Sequence, residues 1–196
     1  MKKREKIIQK KNLKNYRIFL ILTRYLILLI IMFSLNIIYF IFTPLTIYPV
    51  YLFLKVIYTN VELVKIAVES IPNYYIIIDN SIGIEIIPTC IAGSAYLLIL
   101  ILNLSVPMNI LKRIKSIILS FIILLSLNII RIIIFSILYY SNTPYFDFAH
   151  KFFWYIISTF FVIGIWFLIV KIYRIKEIPV YSDFKTFIKE INSIKK

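Results

Sequence analysis

Three side chains in this sequence have the types needed for acyl transfer: Cys90, Arg131 and His150. Cys90 is the only cysteine and His150 the only histidine. A thiolate attacks a carbonyl carbon, and an imidazole takes the thiol proton and later returns it to the leaving amine. A guanidinium supplies donors and positive charge where an oxyanion develops. Cys90 and His150 also have plainer readings, as a small buried hydrophobe and a helix-end residue. Arg131 is harder to set aside. It lies inside a long apolar run, where an arginine costs about 2.5–3.5 kcal/mol at a helix centre and normally faces a polar interior.

Spacing adds neighbours to each of the three. Pro88 suits a first helical position, which would put Cys90 in the first turn of a helix, where the dipole favours thiolate. Asn128 and Arg131 are three apart and share a helix face, as do Asp147 and His150. Asp147 could orient the imidazole or raise its basicity. Gly93, Ser94 and Ala95 are small enough to let helices approach closely, or simply to pack. Arg131 lies nine residues before Tyr140, about 13 Å along a helix. With Thr143 as N-cap and Pro144 as first helical residue, His150 falls about 10 Å into the next helix, at a similar depth. Cys90 is shallower on this count, unless the arginine reaches upward or its helix starts nearer Gly83.

The elements that must position these residues read as membrane spans. The 196 residues are 61% hydrophobic with a mean hydropathy of +0.90, above the usual share for a soluble domain. The apolar residues sit in long runs, and about 20 in a helix span a bilayer. The first run lacks a small-residue cleavage site and reads as a retained span rather than a signal peptide. The expected fold is an all-α membrane protein with about four transmembrane helices. A basic leader (1–17) precedes a first span (18–42). Pro44 and Pro49 then interrupt, and 43–87 is an outer-face or re-entrant segment. Within it Glu62, Lys65 and Glu69 follow an amphipathic helical pattern. Residues 74–79 and 83–87 form a hairpin around Asn80-Ser81. The core of 88–170 holds three more spans, at 88–104, 116–140 and 144–170. A basic tail (171–196) carries an amphipathic helix along the inner surface. Spans number five or six if Val50–Tyr58 and Val61–Ile71 form an extra pair.

The formal net charge is +14, but it lies in blocks between apolar runs. It therefore marks cytoplasmic loops rather than a nucleic-acid surface. The leader, the 105–115 loop and the tail are basic, hence inside; 43–87 and 141–143 are poor in Lys and Arg, hence outside. Both termini are thus expected in the cytoplasm and the three reactive side chains at the outer face. A single cysteine excludes an internal disulfide or a cysteine-based metal cluster, and no cofactor or metal is expected.

Pro88-Thr89-Cys90-Ile91-Ala92-Gly93-Ser94, then Asn128-Ile129-Ile130-Arg131, then His150 opening a later span resemble the archaeosortase/exosortase family of membrane transpeptidases, over roughly residues 84–170. The order matches that family's Cys-Arg-His triad. The family often carries a small residue and glycine directly after the cysteine, where this chain has Ile91 and Ala92, and the chain is short for the family. The resemblance implies an enzyme that cuts C-terminal sorting signals of membrane-anchored proteins at the outer face. It also implies transfer of the new C-terminus to water, a lipid or another acceptor. Two alternatives stay open: a non-catalytic transport or assembly subunit in which Arg131 pairs with Asp147, and an acyltransferase using His150 and Asp147 without the thiol.

Overall fold

The computed structural model describes residues 22–175, leaving out 24, 25, 28, 31, 32, 34, 67–72, 81 and 107. The basic leader, the start of the expected first span, Glu69 and the tail from 176 lie outside the described residues. The described chain is mostly helical, and three helices are long and apolar enough to cross a membrane: Leu35–Ile57, Ile110–Tyr140 and Phe146–Tyr173. An all-α fold is not what forms, because a three-stranded sheet follows the first of them.

Helix α1 (Leu35–Ile57) runs through Pro44 and Pro49, where an interruption was expected. Proline removes one helical hydrogen bond and crowds the carbonyl four residues back. Helices among apolar neighbours tolerate this, and here the packing is firm: Ile47, Val50 and Leu54 are fully buried. The segment Val50–Tyr58 is therefore the end of α1 and not a separate re-entrant piece.

Strands β1 (Val61–Ile66), β2 (Asn73–Ile78) and β3 (Ile82–Ile86) form an antiparallel sheet in the order β1-β2-β3. The hairpin expected at 74–87 is present, with Ile78 opposite Ile82 and Tyr75 opposite Glu85. Its turn is centred on Asp79 and Asn80, both with positive φ (49° and 54°), a conformation these two residue types tolerate. The helical pattern of Glu62 and Lys65 is overturned: both lie on β1, opposite Ile77 and Tyr74. Val61, Val64 and Ile66 favour a pleated strand, and pairing with β2 settles it. Ile76, Ile78 and Ile86 turn inward to the helical core. Tyr140 Oη donates to Asp79 Oδ2 at 2.7 Å, and Tyr58 packs on Tyr140. The hairpin tip is thereby held at the C-terminal end of the third helix.

After β3 comes a short 3-10 turn (Pro88–Ile91), then helix α2 (Gly93–Ser105). The expected 88–104 span is thus a 13-residue helix, about 20 Å long and short of a bilayer's roughly 30 Å. The reason is geometric. Strand β3 and the turn already carry the chain from the level of Tyr140 to that of Arg131, so the helix covers only the remaining depth. Ala92 joins turn to helix in a left-handed conformation (φ 61°, ψ 38°). Gly93 meets α1 directly: a Cβ there would lie 2.6 Å from the Tyr39 ring.

Helix α3 (Ile110–Tyr140) starts six residues before the expected Ser116, so Lys112, Arg113 and Lys115 lie in its first turns rather than in a loop. Its buried side is a stripe at every fourth residue: Ser116, Ser120, Leu124, Asn128, Ile132 and Ser136. Small and polar residues there allow close helix approach. At one end Ser116 Oγ donates to Asn103 Oδ1, Asn103 Nδ2 to Ile99 O (2.8 Å), and Ser120 Oγ to Ser116 O (2.7 Å).

The last long helix begins at Phe146, two residues beyond Pro144, with Tyr145 rather than Thr143 at the cap position and no side-chain cap hydrogen bond. It comprises α4 (Phe146–Phe152), a π turn (Phe153–Ile157) and α5 (Ser158–Tyr173). Ser158 Oγ donates to Phe153 O at 3.1 Å inside the π turn.

The strain at Ala92 yields a prediction. An L-residue in the left-handed region costs about 1–2 kcal/mol, and glycine gives back about 0.4–1 kcal/mol through the unfolded chain. Ala92→Gly is expected to raise the thermal unfolding midpoint in detergent, corresponding to about 0.5–1 kcal/mol. A lowered midpoint would contradict the backbone described for this turn.

Candidate active site

Arg131 leaves the buried stripe of α3 one turn beyond Asn128, and both side chains reach the 3-10 turn that carries Cys90. Arg131 Nη2 donates to the Cys90 carbonyl at 2.8 Å, and Asn128 Nδ2 donates to the Cys90 and Ile91 carbonyls at 3.1 and 3.3 Å. Arg131 Nη1 reaches Ser158 Oγ at 3.4 Å, and the guanidinium carbon lies 5.2 Å from the Trp154 ring centre. The carbonyls of a 3-10 turn are incompletely used within the chain, so these donors complete them. A desolvated charge gains a hydrogen bond and an aromatic face in exchange.

His150 stands higher. Its ring packs on Phe135 (centroids 5.2 Å apart) and stacks on Phe146 (5.5 Å). Phe135 is one turn from Arg131 on α3, and Trp154 one turn from His150 on the last helix. Arg131 is therefore level with Trp154, and His150 with Phe135. The expectation of equal depth is corrected by about one helical turn, roughly 5 Å. The later helix start supplies about 3 Å of this, placing His150 nearer the Tyr140 end of α3.

Despite the offset, Cys90, Arg131 and His150 line one cavity of about 470 Å³, with strand β3 on one wall and Phe135 and Tyr139 on the other. The supporting residues separate. Asn128 holds the cysteine turn. Gly93 is packed under Tyr39. Ser94 lines a second groove of about 460 Å³, on the far side of Arg131, with Tyr39, Thr89, Trp154 and Ser158. Asp147 is exposed, and among the described residues no hydrogen bond joins it to His150 and no ion pair joins it to Arg131.

Electrostatics at the cysteine run against the expected helix-dipole activation. Cys90 sits in a four-residue turn before α2, not in the first turn of an α-helix. Burial pushes its thiol above the ordinary range; the Ile87 backbone hydrogen bond and the Arg131 charge pull it back only in part, and Glu85 adds to the rise. The resting form at neutral pH is the thiol, so a base must take its proton. Tyr75 is held above its ordinary range by its hydrogen bond to Glu85, which also accepts from Asn73 Nδ2 at 2.9 Å.

Trp154, Ser158, Glu85 and Ser136 also border the site, without being among the residues that the sequence singles out. The first two follow His150 at intervals of four, the signal that would have found them. Ser136 continues the four-residue stripe from Asn128 into the cavity; it is 2% exposed and its Oγ has no hydrogen-bond partner among the described residues. Glu85 became legible only once β3 was placed. No group of three or more metal-ligating side chains gathers among the described residues. Comparison with protein-family models, curated proteins and solved structures finds no match for this chain.

A raised thiol sets a pH profile. Alkylation of Cys90 by iodoacetamide is expected to accelerate about tenfold per pH unit from pH 7 to 8 and to go on rising beyond it. A plateau below pH 8 in detergent-solubilised protein would mean a pre-formed thiolate.

Proposed function

We propose that the protein is a membrane cysteine transpeptidase or protease of the archaeosortase/exosortase type, cleaving C-terminal sorting signals of membrane-anchored proteins at the outer face. The observation that carries this reading is the single cavity lined by Cys90, Arg131 and His150. A second observation supports it. Ala92 stands where that family carries glycine after its cysteine, and its backbone is left-handed, a conformation glycine favours.

In this mechanism Cys90 Sγ bonds to the scissile carbonyl carbon while His150 takes the thiol proton. The carbonyl electrons move onto oxygen. Arg131 uses two of its donors on Cys90 O and Ser158 Oγ; of its five N–H groups, those that remain can meet the oxyanion. Collapse reforms the carbonyl and breaks the C–N bond, and His150 returns the proton to the leaving amine. The thioester is then resolved by water, or by a lipid or other nucleophile of the membrane surface. Asn128 and Arg131 keep the cysteine turn in place throughout. The chain is multi-pass in the cell membrane, with both termini cytoplasmic and with the sheet and cavity outside. The basic start of α3 and the basic residues after α5 support that sidedness.

Replacing Cys90 with Ala is expected to abolish processing, leaving a surface protein with its C-terminal apolar helix uncut while the enzyme stays at normal membrane levels. Unchanged processing would reject the proposal. Arg131→Lys is expected to lower activity about 10²–10³-fold, since lysine lacks the planar fork that spans the cysteine carbonyl and Ser158; full activity would reduce Arg131 to a generic charge. A membrane-impermeant thiol reagent added to intact cells is expected to label Cys90, and labelling only after permeabilisation would invert the topology.

A further inference from the structure

We propose that the substrate binds as an extended strand along the free edge of β3, running parallel to it and delivering its carbonyl to Cys90. This rests on the peptidase reading above and says how that peptide is held.

Five consecutive residues, Gly83 to Ile87, line the cavity. Successive side chains of a strand point to opposite faces. A cavity that touches all five runs along the backbone edge, and it also reaches Tyr75 of β2 over one face of the sheet. In the order β1-β2-β3, that edge of β3 has no partner strand among the described residues. An unpaired edge presents a row of backbone donors and acceptors that templates another chain.

The two edges of the sheet are treated differently. Strand β1 carries exposed Glu62 and Lys65, charges of the kind that discourage pairing. Strand β3 has a single charge, Glu85, and its carboxylate turns back across the sheet to Asn73 and Tyr75. The edge itself is left clear. Gly83 fits the same account. Its φ is not positive, and a Cβ there would meet nothing within 4 Å. Neither a turn nor internal packing requires glycine, and glycine within a strand often marks the close approach of another backbone.

Direction follows from the chain path. β3 descends from the hairpin tip, held at Tyr140, toward the 3-10 turn, held at Arg131. Its five residues cover about 17 Å, and α3 covers about 13 Å between the same two levels. A peptide parallel to β3 enters at the Tyr140 end and reaches Cys90 with its upstream residues paired. Its downstream residues are then free to continue along the helices. Phe135 and Tyr139 on the facing wall take side chains of the added strand.

The test uses peptide chloromethyl ketones on the full-length protein in detergent. The Cys90 sulfur displaces chloride from the chloromethyl carbon, forming a C–S bond as the C–Cl bond breaks, and the thiol proton passes to buffer. Acetyl-Val-Thr-Val-Thr-Ala chloromethyl ketone is compared with acetyl-Ala chloromethyl ketone, with Cys90→Ala as blank. The long reagent is expected to alkylate Cys90 at least about tenfold faster, through two or more edge hydrogen bonds. N-methylation of alternate amides in one phase is expected to erase that advantage, and in the other phase to leave it. Equal rates for long and short reagents, or equal loss in both phases, would overturn strand pairing. Processing in cells that still depends on Cys90 would then leave the peptidase reading standing, whereas Cys90-independent processing would sink both.

Discussion

The hydrogen bond from Arg131 to the carbonyl of Cys90 is the contact on which the architecture turns. A guanidinium among apolar helices is costly unless donors and charge are answered locally. Here the answer comes from a backbone carbonyl in a 3-10 turn, from Ser158 and from the Trp154 face. The turn in turn needs donors for carbonyls that its own short geometry leaves open. Each side removes the other's deficit, and Asn128 adds a second donor to the same carbonyl. Three segments distant in sequence are thereby tied at one point: the turn after the sheet, the middle of α3 and the last helix.

The rest of the fold serves that junction. The four-residue stripe of α3 gives α1, α2 and α5 a small-residue surface to pack on, with its own hydrogen-bonded cluster at Asn103 and Ser116. The hairpin is fixed at Tyr140, so the chain must travel inward along β3 before it can turn into α2. That path explains why α2 is short, and why a sheet edge rather than a helix face borders Cys90.

Several of these features were legible in the residues. Long apolar runs locate the helices, the turn-like Asn80-Ser81 locates the hairpin to within a residue, and an arginine within a span marks a polar interior. Other features were hidden for physical reasons. Glu62 and Lys65 are three apart, a helical interval, yet their β-branched neighbours pair with β2. Pro44 and Pro49 look like helix ends, but tertiary packing keeps α1 continuous through both. The level of His150 depended on where its helix begins, which Thr143-Pro144 suggested two residues too early. Pro88 points to a cysteine activated by a helix dipole. The residue instead lies in a separate turn, where loss of solvent outweighs the nearby positive charge.

The π turn at Phe153–Ile157 has a rotational consequence. Two residues eight apart in an uninterrupted α-helix lie about 80° from each other around the axis. A π turn takes up one extra residue and winds part of that drift back. All three can then address α3, His150 against Phe135 and both Trp154 and Ser158 against Arg131. Removing a single residue from this stretch would shift the frame of everything before it and swing the imidazole out of the cavity. The local irregularity thus acts as a phase corrector between two ends of one long rod.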